Sequence, residues 1–174
     1  MILDLREFAD FPAEVVLTGK PDAMPSLTAD VLDVHEVTAR ITVQKGTDEF
    51  FCQAATYARV TLQCSRCLTA YEGELNGTAD FIVRGTPLPE ANRRDLFDDE
   101  DYLYFRGNEM RVDVFEPVRQ SLIVEVPMIL LCRDNCRGLC PKCGVNLNET
   151  TCDCRFEHRD SRWEGLRRLT GNNQ

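Results

Sequence analysis

The sequence lacks any long hydrophobic run. Its longest uninterrupted apolar stretch covers only residues 128–132, whereas a membrane-spanning helix needs about 20 apolar residues. The N-terminus also lacks the pattern of a secretory signal peptide, because Asp4 and Glu7 lie where positive charges belong and no long apolar core follows. We therefore expect a cytoplasmic protein that has no membrane partner.

Catalytic motifs are missing as well. The chain has two histidines, His35 and His158, and neither lies in a recognisable motif. It contains no phosphate-binding loop, no GxSxG nucleophile elbow and no HExxH motif. The sequence therefore predicts a protein that is not an enzyme and has no small-molecule substrate.

Basic residues are scarce over most of the chain, whose net charge is −9. Residues 1–131 carry 12 basic and 23 acidic side chains, whereas residues 132–174 carry 8 basic and 6 acidic ones. Nucleic-acid affinity depends largely on neutralising phosphates with Lys and Arg. The acidic body therefore suits a basic protein partner, and the tail is the better candidate for direct contact with nucleic acid.

A β pattern fills residues 34–84, where apolar and polar residues alternate. Two long alternating runs flank residues 64–67, so we predict a β-hairpin with Cys64 and Cys67 at or near its tip. The first run places seven residues on one inward face: Phe50, Cys52, Ala54, Ala58, Val60, Leu62 and Cys64. Residues 1–33 give no clear assignment.

A helix is predicted over residues 113–125. Asp113 suits the N-cap position, and Glu116 follows three residues later as in a capping box. The buried stripe would comprise Val114, Val118 and Leu122, with Ile123 as a further candidate.

The segments on either side of this helix are predicted to differ in character. Residues 86–111 form an acidic loop in this interpretation, because five acids fall within residues 95–101. After the helix, the apolar residues 128–131 are expected to form a short buried strand that leads into the cysteines.

Nine cysteines in a chain without an export signal indicate metal binding rather than disulfides. Cys140 and Cys143 have the spacing of a zinc knuckle, with Gly144 where a positive φ is needed. The nearby Cys152 and Cys154 can complete a tetrahedral site. Such a site is closed by four sulfurs, so it is structural rather than catalytic.

A second site is possible from the remaining cysteines. Cys64 and Cys67 could join Cys132 and Cys136 in another Cys₄ set that ties the hairpin to the tail. Two alternatives stay open: Cys136 belongs to the first set with Cys132 spare, or Cys64 and Cys67 form a redox pair. Cys52 fits a small buried hydrophobe.

The chain end predicts an amphipathic helix over residues 159–171, because Ser161 and Glu164 form a capping-box pattern. Its arginines are candidates for binding a partner: Arg162, Arg167 and Arg168. The predicted organisation is a β-rich body over residues 1–131, a zinc-binding cysteine cluster over residues 132–158, and this helix. The predicted fold class is α+β: an antiparallel β-sheet body with one or two packed helices and a C-terminal cysteine-rich zinc knuckle.

Two segments resemble a known family. Residues 131–154, which contain six cysteines, resemble the signature of the bacterial YceD family, and residues 60–68 around Cys64 and Cys67 resemble its other mark. The resemblance implies a non-enzymatic ribosome-assembly factor that acts in the accumulation or maturation of 23S ribosomal RNA. Its partner would be a ribosomal RNA precursor or a basic ribosomal protein. The residues alone also allow a thiol-redox or metal-responsive protein that works through Cys64 and Cys67.

Overall fold

A computed structural model describes residues 1–19, 27–85, 102–105 and 109–154. In this part of the chain, seven strands and one α-helix are present: β1 (Ile2–Asp4), β2 (Ala13–Gly19), β3 (Val31–Lys45), β4 (Glu49–Gln63), β5 (Ala70–Arg84), β6 (Tyr102–Tyr104), β7 (Arg111–Asp113) and α1 (Phe115–Val124). The coarse α+β prediction is confirmed, with a sheet body, one packed helix and a C-terminal cysteine cluster.

The body is a five-stranded sheet in the order β2-β3-β4-β5-β6. Strands β2 to β5 pair antiparallel, while the short β6 runs parallel to β5. The sheet is therefore mixed rather than wholly antiparallel as predicted. A separate two-stranded sheet joins β1 to β7.

Alternation along the strands produces the core. The inward residues predicted for β4 are buried, as are the apolar inward residues of β3. On β5, Leu75, Phe81 and Val83 are buried, whereas Tyr71 and Ala79 are half-buried.

Helix α1 packs on β5 and β4 through Val118 and Leu122, which are fully buried. Beside them, the hydroxyls of Thr56 and Ser121 form a buried hydrogen bond of 2.8 Å between sheet and helix, so neither polar group is left unsatisfied.

Gly77 on β5 allows the helix to approach this closely. A Cβ at this position would lie 2.8 Å from the backbone oxygen of Ser121 and 2.9 Å from Oγ1 of Thr56. At Gly73 on the same strand, a Cβ would meet only the Leu62 side chain, at 2.7 Å. A side-chain end can rotate away, but backbone packed against a sheet cannot.

Gly77→Ala is therefore expected to lower the free energy of unfolding by about 1–3 kcal/mol, the usual cost of overpacking. Chemical denaturation would measure the loss, with Gly73→Ala as the matched control. If the two variants lost equal stability, the close approach at Gly77 would not be a packing constraint.

Two segments for which the sequence predicted no strand contain strands. Residues 1–33 contain strands: β2 pairs with β3, and β1 pairs with β7. The predicted loop over residues 86–111 contains β6 and the first residue of β7. Strands β1 and β6 have three residues each, too few to show an alternation. Edge strand β2 has seven, but its adjacent Val15 and Val16 obscure the alternation.

The helix start and the segment after the helix also differ. Val114 is the N-cap residue, while the Asp113 carboxylate accepts the Phe115 N–H at 3.0 Å. Glu116 pairs with Arg119 at 2.8 Å instead of completing a capping box. Residues 128–131 are not a strand, because only Leu130 is buried and the two residues before it, Met128 and Ile129, are exposed.

Some predictions fall outside the described residues. These are the acidic residues 95–101, His158, the helix over residues 159–171, and its arginines Arg162, Arg167 and Arg168. Among the described residues, no helix has both the length and the apolar composition to cross a membrane.

Candidate metal centres

The hairpin of β4 and β5 ends in a tight turn that contains Cys64 and Cys67. The Leu68 N–H donates to the Cys64 oxygen at 2.9 Å, and the Cys64 N–H donates to the Thr69 oxygen at 3.0 Å. Leu68 adopts a φ of 58°, a left-handed conformation that residues with a Cβ rarely take. The turn thus bends the chain so that both cysteines lie at the hairpin tip, as predicted.

A second turn at Cys140 and Cys143 has the same backbone pattern. The Gly144 N–H donates to the Cys140 oxygen at 2.8 Å, and the Cys140 N–H donates to the Val145 oxygen at 2.8 Å. Gly144 takes the left-handed position with a φ of 74°, at the place that Leu68 occupies in the hairpin turn. The two CxxC segments are therefore two copies of one local structure.

The first cluster comprises Cys64, Cys67, Cys132 and Cys136, whose sulfurs all lie within 4.8 Å of one another. The Sγ atoms of Cys64 and Cys136 are 3.8 Å apart, and those of Cys67 and Cys132 are 3.6 Å apart. Three of the four residues are buried. Both separations exceed the ~2.05 Å of a disulfide bond, so these are free thiols.

Backbone hydrogen bonds bring the tail to this cluster. The Ser65 N–H donates to the Leu130 oxygen at 2.8 Å, and the Leu139 N–H donates to the Arg66 oxygen at 3.0 Å. The Arg66 guanidinium donates to the Cys136 oxygen at 3.0 Å. The expected strand over residues 128–131 is absent, yet the single pairing at Leu130 still delivers Cys132 to the hairpin tip.

The second cluster comprises Cys140, Cys143, Cys152 and Cys154, with all sulfurs again within 4.8 Å of one another. It is more open than the first, because Cys140 is buried, Cys143 is exposed and the other two are half-buried. Its two cysteine pairs flank residues 144–151, which turn back so that Leu139 and Asn146 form a β-bridge.

Each cluster contains a thiol whose pKa is lowered to about 6. Burial opposes ionisation of Cys64, but backbone N–H groups of Cys132, Cys67 and Arg66 directed at its sulfur lower its pKa to about 6. In the second cluster, the N–H groups of Cys143 and Lys142 likewise lower the pKa of Cys140 to about 6. Hydrogen bonds to the charged form stabilise a thiolate, which is the form that binds metal.

Other thiols hold their protons more tightly. Burial and the neighbouring sulfurs raise the pKa of Cys132 to about 12. The hydrogen bond with Cys143, together with burial, raises the pKa of Cys154 to about 12. Crowded thiols resist a second negative charge unless a cation enters between them.

The donor sets fit a soft tetrahedral metal ion. Four thiolates are the ligands of structural zinc and of iron–sulfur centres. Four sulfurs at the Zn–S distance of ~2.3 Å would be about 3.8 Å apart, close to the 3.6 Å and 3.8 Å found in the first cluster. Each cluster could therefore hold one metal ion, with no position left for a substrate.

Two residues considered from the sequence lie apart from both clusters. Cys52 is buried in the core of the sheet, and burial raises the pKa of its thiol to about 12. His35 lies on the outer face of the sheet, where its Nε2 is 2.7 Å from Oγ1 of Thr61.

Sequence reasoning missed two residues that support the first cluster. Arg66 contacts the backbone of Cys136, and the Asn148 amide donates to the Cys136 sulfur at 3.3 Å. The first contact spans 70 positions and the second spans 12, so neither follows from a local motif. The position of Arg66 inside a CxxC turn was the one available signal.

Comparison with known proteins places the clusters in a family context. The family model described as "Large ribosomal RNA subunit accumulation protein YceD" matches residues 53–170, which include all four cysteines of each cluster. A chloroplastic protein of Arabidopsis thaliana named as a YCED homolog is 26% identical over 131 residues, covering 63% of this chain and 41% of that protein.

Two further relatives extend this comparison. A chloroplastic YCED homolog from Zea mays is 36% identical over 57 residues, covering 32% of this chain and 20% of its own length. An uncharacterized protein of Mycobacterium tuberculosis is 29% identical over 111 residues, covering 63% of this chain and half of its own length. The chain thus spans half or less of each of these three relatives. No solved structure matches it. The family match covers more than half of the chain and both cysteine clusters, and the chain belongs to the YceD family.

Proposed function

We propose that this protein is a non-enzymatic ribosome-assembly factor that acts in the accumulation or maturation of 23S ribosomal RNA. The observation that carries the proposal is the pair of Cys₄ clusters in a chain of a family named for large ribosomal RNA subunit accumulation. The first cluster joins the tail to the β body, and the second lies within the tail. A tail held in this way favours a binding role, in which the protein presents a fixed surface to a partner. The cytoplasmic location expected from the sequence is part of the proposal.

The proposal assigns one zinc ion to each cluster. Zinc bound by four thiolates contributes folding free energy and has no open position for catalysis. Cys64 and Cys140 supply the thiolates that form most readily, and the turns around them hold the paired cysteines at ligand spacing. The proposal keeps the three-part organisation expected from the sequence: a body over residues 1–131, a metal-bound segment over residues 132–158, and a helix over residues 159–171.

Metal binding should release protons. The metal coordinates thiolates, whereas Cys132 and Cys154 hold their protons at neutral pH until the metal displaces them. Fewer protons must be displaced as the pH rises, so affinity should rise with pH and fall on acidification. We expect zinc added to reduced, metal-free protein at pH 7 to acidify a weakly buffered solution. Zinc that bound without releasing protons would contradict thiol ligation.

The partner is a ribosomal RNA precursor or a basic ribosomal protein. The acidic body favours a basic protein, whereas the arginines proposed for partner binding, Arg162, Arg167 and Arg168, favour phosphates. Mobility-shift titrations of labelled 23S precursor across a salt series would separate the two. If the protein binds RNA directly, the slope of log affinity against log salt concentration should become shallower by about one for each of these arginines that is replaced.

A matched control comes from the outer face of the sheet, where Arg40 and Arg59 are exposed and pair with Glu14 and Glu36. Arg40→Ala and Arg59→Ala should leave an RNA titration unchanged. If no RNA binds at physiological salt, a purified basic ribosomal protein becomes the partner to titrate.

The role itself is tested in bacterial cells that lack the protein. Mature 23S ribosomal RNA should fall relative to 16S, and the wild-type gene should restore the ratio. Normal 23S levels in such cells would refute the proposal.

A thiol-redox or metal-responsive function of Cys64 and Cys67 is the second candidate, favoured by the lowered pKa of both thiols. Burial opposes ionisation of Cys64 but the surrounding N–H groups outweigh it, and Thr69 lowers the pKa of Cys67. Thiol titration with and without chelator separates the functions. A structural site predicts that these thiols react only after the metal is removed, whereas a redox pair reacts without chelator.

A further inference from the structure

Asn148 links the two cysteine clusters. It lies among residues 144–151, between the cysteine pairs of the second cluster, yet its side-chain amide donates to the sulfur of Cys136 in the first cluster at 3.3 Å. Its carbonyl oxygen accepts the Arg137 N–H at 2.8 Å. The segment enclosed by one cluster therefore reaches a ligand of the other.

This side chain is held in place from several directions. Asn146 accepts from both the backbone N–H and the side-chain amide of Asn148, at 3.1 and 2.8 Å. The preceding Leu147 N–H donates to the Gly138 oxygen at 2.9 Å. With its position fixed by these bonds, the Asn148 amide loses little conformational entropy when it contacts the sulfur.

Gly138 allows the tail to pass close to the hairpin turn that carries two cysteines of the first cluster. It has a φ of 75°, and a Cβ there would lie 3.0 Å from the backbone oxygen of Arg66 in the hairpin turn. The tail thus passes directly over the first cluster before it enters the second. One hydrogen-bond network therefore connects residues 144–151 with the surroundings of Cys136.

We propose that Asn148 is a positioning residue that couples metal binding at the two clusters, an inference that rests on the proposed metal sites. Metal held by the second cluster fixes both ends of residues 144–151 and so aims the Asn148 amide at Cys136. An N–H donor stabilises the extra negative charge of a tetrathiolate site. Metal in the second cluster therefore strengthens binding at the first, and the coupling is reciprocal.

The test uses protein loaded with ¹¹³Cd²⁺, because each CdS₄ site gives its own NMR resonance. Cys67→Ser and Cys143→Ser assign the resonances of the first and second clusters. Asn148→Asp keeps the oxygen that accepts from Arg137 but removes the amide N–H groups that donate to the Cys136 sulfur and to Asn146. We expect it to move the first-cluster resonance, to leave the second in place, and to weaken first-cluster binding about 10–100-fold in a chelator titration.

Thr150→Asp is the matched control, because it adds the same charge to the same segment at an exposed side chain that does not hold Asn148. The metal affinity of the first cluster should stay within about threefold of the wild type. This is a smaller change than the roughly 10–100-fold loss expected when a hydrogen bond to a metal ligand is removed. The unmoved second-cluster resonance reports that the Asn148 variant is folded.

The coupling itself is tested by a double-mutant cycle. Cys143→Ser should weaken the first cluster in the wild-type background and have little further effect in Asn148→Asp. Full additivity, or an unchanged first-cluster resonance in Asn148→Asp, would overturn the coupling while the metal sites stand. Protein that gives no cadmium resonance at all would overturn both.

Discussion

Replacing Cys140 with serine is expected to remove one metal ion per chain and to open the tail to proteolysis. Cys140 is the buried member of the second cluster, and its lowered pKa makes it the readiest thiolate there. Structural zinc contributes about 10–16 kcal/mol of binding free energy in small zinc domains, and loss of one ligand forfeits much of it. Limited trypsin digestion should then cut rapidly after Arg137 and Lys142.

Cys52→Ser is the control for this experiment. Cys52 is equally inaccessible but lies in the sheet core, away from both clusters. A buried hydroxyl there should lower the stability of the body by about 1–3 kcal/mol without changing the metal content or the tail cleavage rate. Equal cleavage of the tail in the two variants would contradict a structural site at Cys140.

Replacing Cys132 with serine should detach the tail from the hairpin tip. The first cluster joins residues 65 positions apart, so it restrains the chain over a long loop. If free zinc exceeds its dissociation constant about 1,000-fold, the site contributes roughly 4 kcal/mol. The midpoint of thermal unfolding should then fall by about 8–16 °C.

Hydrogen exchange locates this effect. The Ser65 and Leu139 amides, which donate across the junction, should lose protection in Cys132→Ser, while the Cys140 amide within the second turn should keep it. Cys143→Ser should give the opposite pattern and retain the first metal. Loss of protection at all three amides in both variants would mean that the two clusters are one cooperative unit.

Long, regular patterns could be predicted from the sequence. The hairpin of β4 and β5 and the buried stripe of α1 follow from alternation and helical spacing, because each has enough residues to show its period. The short strands β1, β6 and β7 have three residues each. Their pairing depends on neighbours distant in sequence, so local reasoning could not find them.

The same distinction between local patterns and distant contacts applies to the candidate site. The turn at Cys140 could be predicted because CxxCG is a local pattern, and Gly144 takes the conformation that the pattern requires. Leu68 takes the same conformation with a side chain that rarely permits it. The contact of Arg66 with Cys136 arises only after the tail has folded onto the hairpin, and that of Asn148 with Cys136 only after the tail has folded on itself.

The central claim is that metal in the first Cys₄ cluster ties the tail to the body and metal in the second holds the tail itself. Counting zinc tests it most directly. Protein purified without added zinc, quantified by elemental analysis against amino-acid analysis, should contain two zinc ions per chain. Cys67→Ser should contain one. A single zinc in the wild type that Cys67→Ser does not remove would contradict the first site, and the absence of bound metal would contradict both.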